Sequence, residues 1–123
     1  MPQPQSIELT AAGVTVAALR GGSGPPLVYL HGAGGGGVWW PFLDELAAHY
    51  TVVAPEHPGF GASPDSPKVD HVGDVAYFYL ELLRELGPVH LLGESLGGWI
   101  SAEMAVRDCR DIRTLTLMAP AGL

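Results

Sequence analysis

Gly93-Glu94-Ser95-Leu96-Gly97 narrows what this chain can fold into more than any other feature. It fits G-x-S-x-G, follows the apolar run Val89 to Leu92, and leads into a helical segment from about Trp99 to Val106. A serine in that place sits in a sharp, strained turn with its hydroxyl clear of the sheet. Only glycine two residues to either side leaves room for the neighbouring backbone, and Gly98 relieves the crowding further. The start of the helix also aims free N–H groups at a bound oxyanion, with the Leu96 amide the nearest donor. A serine that merely capped the helix would not need glycine at 93, 97 and 98, so Ser95 is read as a nucleophile.

The rest of the chain supplies the context such an elbow requires. Ile7 to Leu9 and Val14 to Leu19 read as an opening hairpin around Ala12-Gly13, and Leu27 to Leu30 as a strand ending at a glycine-rich turn. Apolar residues at helical spacing predict helices over 39–49 and 70–86, with Gly87-Pro88 stopping the second. Thr51 to Ala54, Val89 to Leu92 and Ile112 to Met118 are the remaining strands. Strands alternating with helices need right-handed crossovers, so the expected fold class is α/β, a mostly parallel sheet with helices on both faces. Ligands in such sheets bind beyond the carboxyl ends of the strands, where the glycine-rich turns lie.

Composition sets the limits. With 123 residues, 47% of them hydrophobic, there is material for one core, so residues 1–123 are read as part of a single domain. The net charge of -7 has the wrong sign for nucleic acid or an anionic membrane surface. Met1 to Gln5 show no basic segment leading into an apolar one, and no apolar run approaches a membrane span, so a cytoplasmic protein is expected. The lone Cys109 allows no intrachain disulfide and reads as a bystander. The expected partner is a small-molecule substrate, with no metal or organic cofactor.

His31-Gly32-Ala33-Gly34 follows its strand in the position of an oxyanion turn, with the Ala33 or Gly34 amide as second donor. His31 itself reads as a structural histidine that hydrogen-bonds nearby loops. A rival exists, because Gly32 to Gly37 also satisfies G-x-G-x-x-G, with Glu56 at the end of the next strand, as in a dinucleotide-binding domain. A run this rich in glycine matches that pattern by chance, and Ser95's surroundings would then be unexplained. A non-catalytic interaction module is the remaining alternative.

His31-Gly32-Ala33-Gly34, Pro58-Gly59-Phe60-Gly61-Ala62-Ser63 and Gly93 to Gly98, in that order, resemble the α/β-hydrolase fold superfamily. In detail the chain is similar to esterases and to carbon-carbon bond hydrolases of meta-cleavage products, through to the closing Leu117 to Leu123. The resemblance implies that the strands before His31 and Ser95 lie side by side, bringing the two oxyanion amides over one pocket. It also implies that the triad acid and histidine lie after the sixth strand, where this sequence stops, so the expected fold is truncated there. Of the five histidines present, only His57, on a loop at the active edge, is a conceivable stand-in base. Trp39, Trp40 and Phe60 are candidates to line an apolar substrate pocket, and the unpaired edge of the last strand is an expected route to self-association.

Overall fold

A computed structural model describes residues 3–122. Among the described residues the chain forms β1 (Gln5–Ala11), β2 (Val14–Gly22), β3 (Pro26–Leu30), α1 (Pro41–Leu46), β4 (Thr51–Pro55), α2 (Val72–Leu86), β5 (Val89–Glu94), α3 (Leu96–Arg107) and β6 (Ile112–Met118). The strands make one sheet in the order β1-β2-β4-β3-β5-β6. β1 and β2 are an antiparallel hairpin closed by Ala12 and Gly13 at φ 50° and 75°, the mirror-image turn that suits strand twist. β2 meets β4 antiparallel, whereas β4, β3, β5 and β6 run parallel.

The order of the strands explains where the helices go. From β3 the chain crosses through α1 to β4 on one side, then returns through α2 to β5 on the other side of β3. Right-handed crossovers in opposite directions must lie on opposite faces. Accordingly Leu43 and Ala47 pack with Leu27, Tyr29, Val52, Ala54 and Leu92 on one face. Ala76, Phe78, Tyr79, Leu82, Leu83, Ile100 and Met104 pack with Val28, Leu30, Val53 and Leu91 on the other. The reversal at β3 makes a topological switch point, and sheets of this kind hold ligands beyond the carboxyl ends of the strands at such a point.

Three boundaries differ from the sequence reading. The helix expected over 39–49 is only Pro41–Leu46, because Ala48 and His49 donate three residues back, to Glu45 and Leu46 at 3.2 and 3.0 Å, tightening the chain into turns ahead of β4. The second helix starts at Val72 rather than Asp70, whose N–H is taken by the Asp74 carboxylate at 2.9 Å. The third starts at Leu96, well before Trp99, because Gly97 and Gly98 stand inside its first turn as residues of close approach and do not delay it. β6 forms the outer edge of the sheet, and most of its side chains are exposed.

Candidate active site

Leu30 and Gly93 are register partners at the carboxyl ends of β3 and β5, so the two glycine-rich turns leave the sheet side by side. Ser95 occupies the turn between β5 and α3 at φ 52° and ψ -113°, a left-handed conformation that a non-glycine residue adopts only when its surroundings impose it. Those surroundings are visible. The Ser95 N–H donates to Met118 O of β6 at 2.9 Å, and its carbonyl accepts from Trp99 N at 3.1 Å and Ala121 N at 2.9 Å.

Glycine is required on both sides by contact. A Cβ on Gly97 would come within 2.7 Å of the His31 carbonyl oxygen, and one on Gly93 within 2.7 Å of the Gly97 carbonyl carbon. A Cβ on Gly32 would lie 3.3 Å from Ser95 Cβ, which places the turn from Gly32 to Gly35 directly against the serine. Ser95 is half-buried, and Ala33 and Gly34 are exposed beside it. The turn closes with Gly35 N donating to Gly32 O at 3.1 Å, so Ala33 and Gly34 are its two central residues. Among the described residues neither of these amides, nor that of Leu96, has a backbone acceptor outside regular structure.

Beneath the turn lies a buried cluster. His31 and His57, each 1% exposed, stack with ring centroids 3.7 Å apart. His31 Nδ1 donates to Gly32 O at 2.7 Å, and its Nε2 accepts from His57 N–H at 2.9 Å. His57 Nε2 donates to His31 O at 2.7 Å, and its Nδ1 accepts from the Tyr79 hydroxyl at 2.7 Å. Burial first, then the neighbouring His31, pushes the His57 pKa down to about 3, and burial lowers that of His31 as well. With both ring nitrogens engaged below the turn, His57 is not available as a base for Ser95. Its part in this cluster, and that of Tyr79, was not legible in the sequence: their partners lie 26 and 22 residues away and are brought together by sheet order.

The carboxylates near the site are also tied down. Tyr29 donates its hydroxyl to Glu94 Oε1 at 3.0 Å, and burial together with that carboxylate raises the phenol's pKa. Glu56 is buried, accepts from Ala62 N at 3.3 Å, and is wrapped by Gly37 and Gly61 at φ 77° and 52°. It is therefore not free to meet a ribose, and the glycine run is folded around His31 and Glu56 where a dinucleotide would need it open.

The aromatic candidates separate. Phe60 sets its ring edge-on to His31 and His57 at 5.3 and 5.5 Å, next to the site. Trp40 is exposed. Trp39 lies over Gly21 and donates to Asp44 Oδ1 at 3.2 Å, lining a cavity of about 530 Å³ with Arg20, Gly22 and Ser23. Gly22 pairs with Thr51 at the start of β4, so that cavity opens at the opposite end of the sheet from Ser95. Among the described residues no group of three or more His, Cys, Asp or Glu side chains could hold a metal, and no helix is long and apolar enough to cross a membrane.

Known proteins share this fold. The family model for the alpha/beta hydrolase fold matches residues 25–122. The chain is 35% identical to the 2-hydroxymuconate semialdehyde hydrolase of Pseudomonas sp. (strain CF600), covering 94% of this chain and 44% of that protein. It is 36% identical to the pimeloyl-[acyl-carrier protein] methyl ester esterase of Aeromonas hydrophila, over 86% of this chain and 42% of that one. Its structure superimposes on the crystal structure of a membrane phospholipase A with a TM-score of 0.88 at 32% identity, covering 98% of this chain and 41% of the other. The chain thus spans less than half the length of these relatives. With residues 25–122 of its 123 matched by the family model, the chain belongs to the alpha/beta hydrolase fold family.

Proposed function

We propose that Ser95 is the nucleophile of a serine hydrolase whose substrates are carboxylic esters or related acyl and carbon-carbon substrates. The observation that carries this reading is the imposed left-handed turn at Ser95, packed so close to the Gly32 turn that a Cβ added at Gly32 would lie 3.3 Å from that of Ser95. Strain of this kind is kept where a side chain must be aimed. In the reaction the Ser95 Oγ attacks the carbonyl carbon as its proton passes to a base. The carbonyl oxygen takes the negative charge, held by the Leu96 amide and by that of Ala33 or Gly34. The leaving group departs with a proton, and water releases the acyl group from Ser95.

The base belongs, on this reading, to polypeptide equivalent to the part of the relatives that this chain does not span. His31 and His57 are engaged with each other, His90 lies in β5 against Thr114 Oγ1 at 2.7 Å, and His71 stands at the start of α2. The reading also places the protein in the cytoplasm, to which the free Cys109 is suited.

The test is covalent labelling with a fluorophosphonate together with hydrolysis of p-nitrophenyl acetate. The chain as it stands should label at Ser95 slowly and turn over weakly, since an elbow and oxyanion hole retain roughly 10³-fold over water without the other triad members. Joining it to the matching remainder of a relative should raise turnover by orders of magnitude, and Ser95→Ala should remove the gain. Labelling indifferent to Ser95→Ala would leave the non-catalytic module as the better reading. Saturable thermal stabilisation by NAD, which is not expected, would support the dinucleotide reading instead.

A further inference from the structure

Tyr79 lies in the middle of α2, 0% exposed, on the face that packs against the sheet. Phenylalanine would fill the same space, and a phenol in an apolar core is unfavourable unless its hydroxyl is bonded. Its hydroxyl meets His57 Nδ1 at 2.7 Å. We propose that Tyr79 and His57 are positioning residues that aim the oxyanion amide of Ala33, acting through the imidazole of His31. The proposal rests on the reading of Ser95 as a nucleophile.

The chain of bonds has a single polarity. A backbone carbonyl only accepts, so His57 Nε2, 2.7 Å from His31 O, must carry the ring proton. A neutral imidazole has one such proton, so Nδ1 accepts and Tyr79 donates. The low pKa of His57 fits this neutral form. If the ring took the other tautomer, a lone pair on Nε2 would face the lone pairs of His31 O. The His31 carbonyl therefore fixes the tautomer, and the Tyr79 hydroxyl, donating to the remaining nitrogen, ties the ring to the α2 core and holds it against the end of β3.

The same logic runs one step further. His57 N–H donates to His31 Nε2, so His31 carries its proton on Nδ1 and gives it to Gly32 O at 2.7 Å. That carbonyl also accepts from Gly35 N, and two donors fix its direction. The Gly32–Ala33 peptide is planar and trans, so its N–H points opposite to its C=O. Fixing the Gly32 carbonyl thus fixes the line along which Ala33 offers its N–H. The His31 ring is held in the orientation that does this by the stacked His57 ring and by the edge of Phe60. A relay so arranged carries the rigidity of the α2 core to an exposed turn that otherwise consists of glycine and alanine.

Replacements at these positions separate aim from mere packing. Tyr79→Phe keeps the volume and removes the donor. His57→Gln keeps an N–H near the place of Nε2, whereas His57→Leu keeps none. The full chain, labelled with 15N at histidine, should show His31 as the Nδ1–H and His57 as the Nε2–H tautomer in long-range 1H–15N spectra, with the His57 Nδ1 signal moving to that of an unbonded imidazole nitrogen in Tyr79→Phe. Fluorophosphonate should then label Ser95 about tenfold more slowly in Tyr79→Phe and His57→Gln, and about a hundredfold more slowly in His57→Leu, within the range set by losing one oxyanion donor. The labelling rates should follow these nitrogen spectra rather than the melting temperatures. Ser95 labelled at the wild-type rate in Tyr79→Phe and His57→Gln would overturn the relay and leave the hydrolase reading standing. Rates that simply track melting temperature would overturn it too. Failure of the parent chain to label at Ser95 would remove both readings together.

Discussion

The backbone N–H of Ser95 donates to the carbonyl of Met118 at 2.9 Å, so the outermost strand of the sheet directly holds the strained elbow. The register continues down β5 and β6, with Glu94 opposite Met118 and Gly93 opposite Leu117. Ser95 is thus clamped between β6 and the first turn of α3, and its φ of 52° is a property of that clamp.

Releasing the strain should stabilise the fold while destroying the chemistry. A non-glycine residue in such a region costs about 1–3 kcal/mol, and glycine loses about 0.5–1 kcal/mol in chain entropy. Ser95→Gly should therefore gain about 1 kcal/mol in urea unfolding, whereas Ser95→Ala stays close to the parent. Both should fail to react with fluorophosphonate. A Ser95→Gly variant less stable than Ser95→Ala would show that the turn is not strained.

Two glycines should respond in opposite ways to alanine. At Gly97 the added Cβ would meet the backbone of Leu30 and His31, which cannot move without parting β3 from α3, so Gly97→Ala should cost at least about 3 kcal/mol. At Gly34 nothing lies within 4 Å, so Gly34→Ala should stay within about 0.5 kcal/mol. Thermal melts of the two variants decide this, and equal losses would contradict the close approach at Gly97.

Acid should weaken the fold through the histidine pair. His57 has its pKa pushed down to about 3 by burial and by His31, whereas an imidazole in the unfolded chain titrates near 6.5. Between these values the unfolded state binds more protons, so this stabilisation is complete above about pH 6.5 and is lost as pH falls towards 3. His31, also lowered by burial, acts in the same direction. From pH 7 to pH 4 the unfolding free energy should drop by on the order of 3 kcal/mol from His57, and His57→Gln should show a visibly shallower decline. A decline that His57→Gln leaves unchanged would assign the acid sensitivity to other groups.

The outer edge of β6 should recruit a second chain. Leu115 and Met118 are 38% and 36% exposed on that strand, and an open edge of this kind is a template for pairing. The contact to Ser95 lies on the inner side, towards β5, so association at the outer edge would leave the elbow intact. Light scattering after size exclusion should show dimers or larger species that Leu115→Lys reduces. A clean, cooperatively unfolding monomer would argue against association through β6.

Local rules make the turn at Ser95 and the sheet class legible in the sequence. Glycine at 93, 97 and 98 around Ser95, and apolar runs of strand length alternating with helical spacing, express constraints that act over a few residues. The same locality misplaced helix ends, because the turn after Leu46 and the bond from Asp70 to Asp74 depend on how the chain must enter the next element.

Tertiary structure decided what those rules could not reach. Nothing near His57 in sequence distinguishes a base from a buried prop. Its role follows from stacking on His31, which only the adjacency of β3 and β4 permits, and from a hydroxyl on α2. Trp39 likewise stands close to the Gly32 turn in sequence but faces the amino end of the sheet, because it packs over Gly21. The sequence by itself determined which residues can bend, cap and alternate. Which of them meet was decided by the reversal of strand order at β3, since hydrogen bonds and packing act between neighbours in space whatever their separation along the chain.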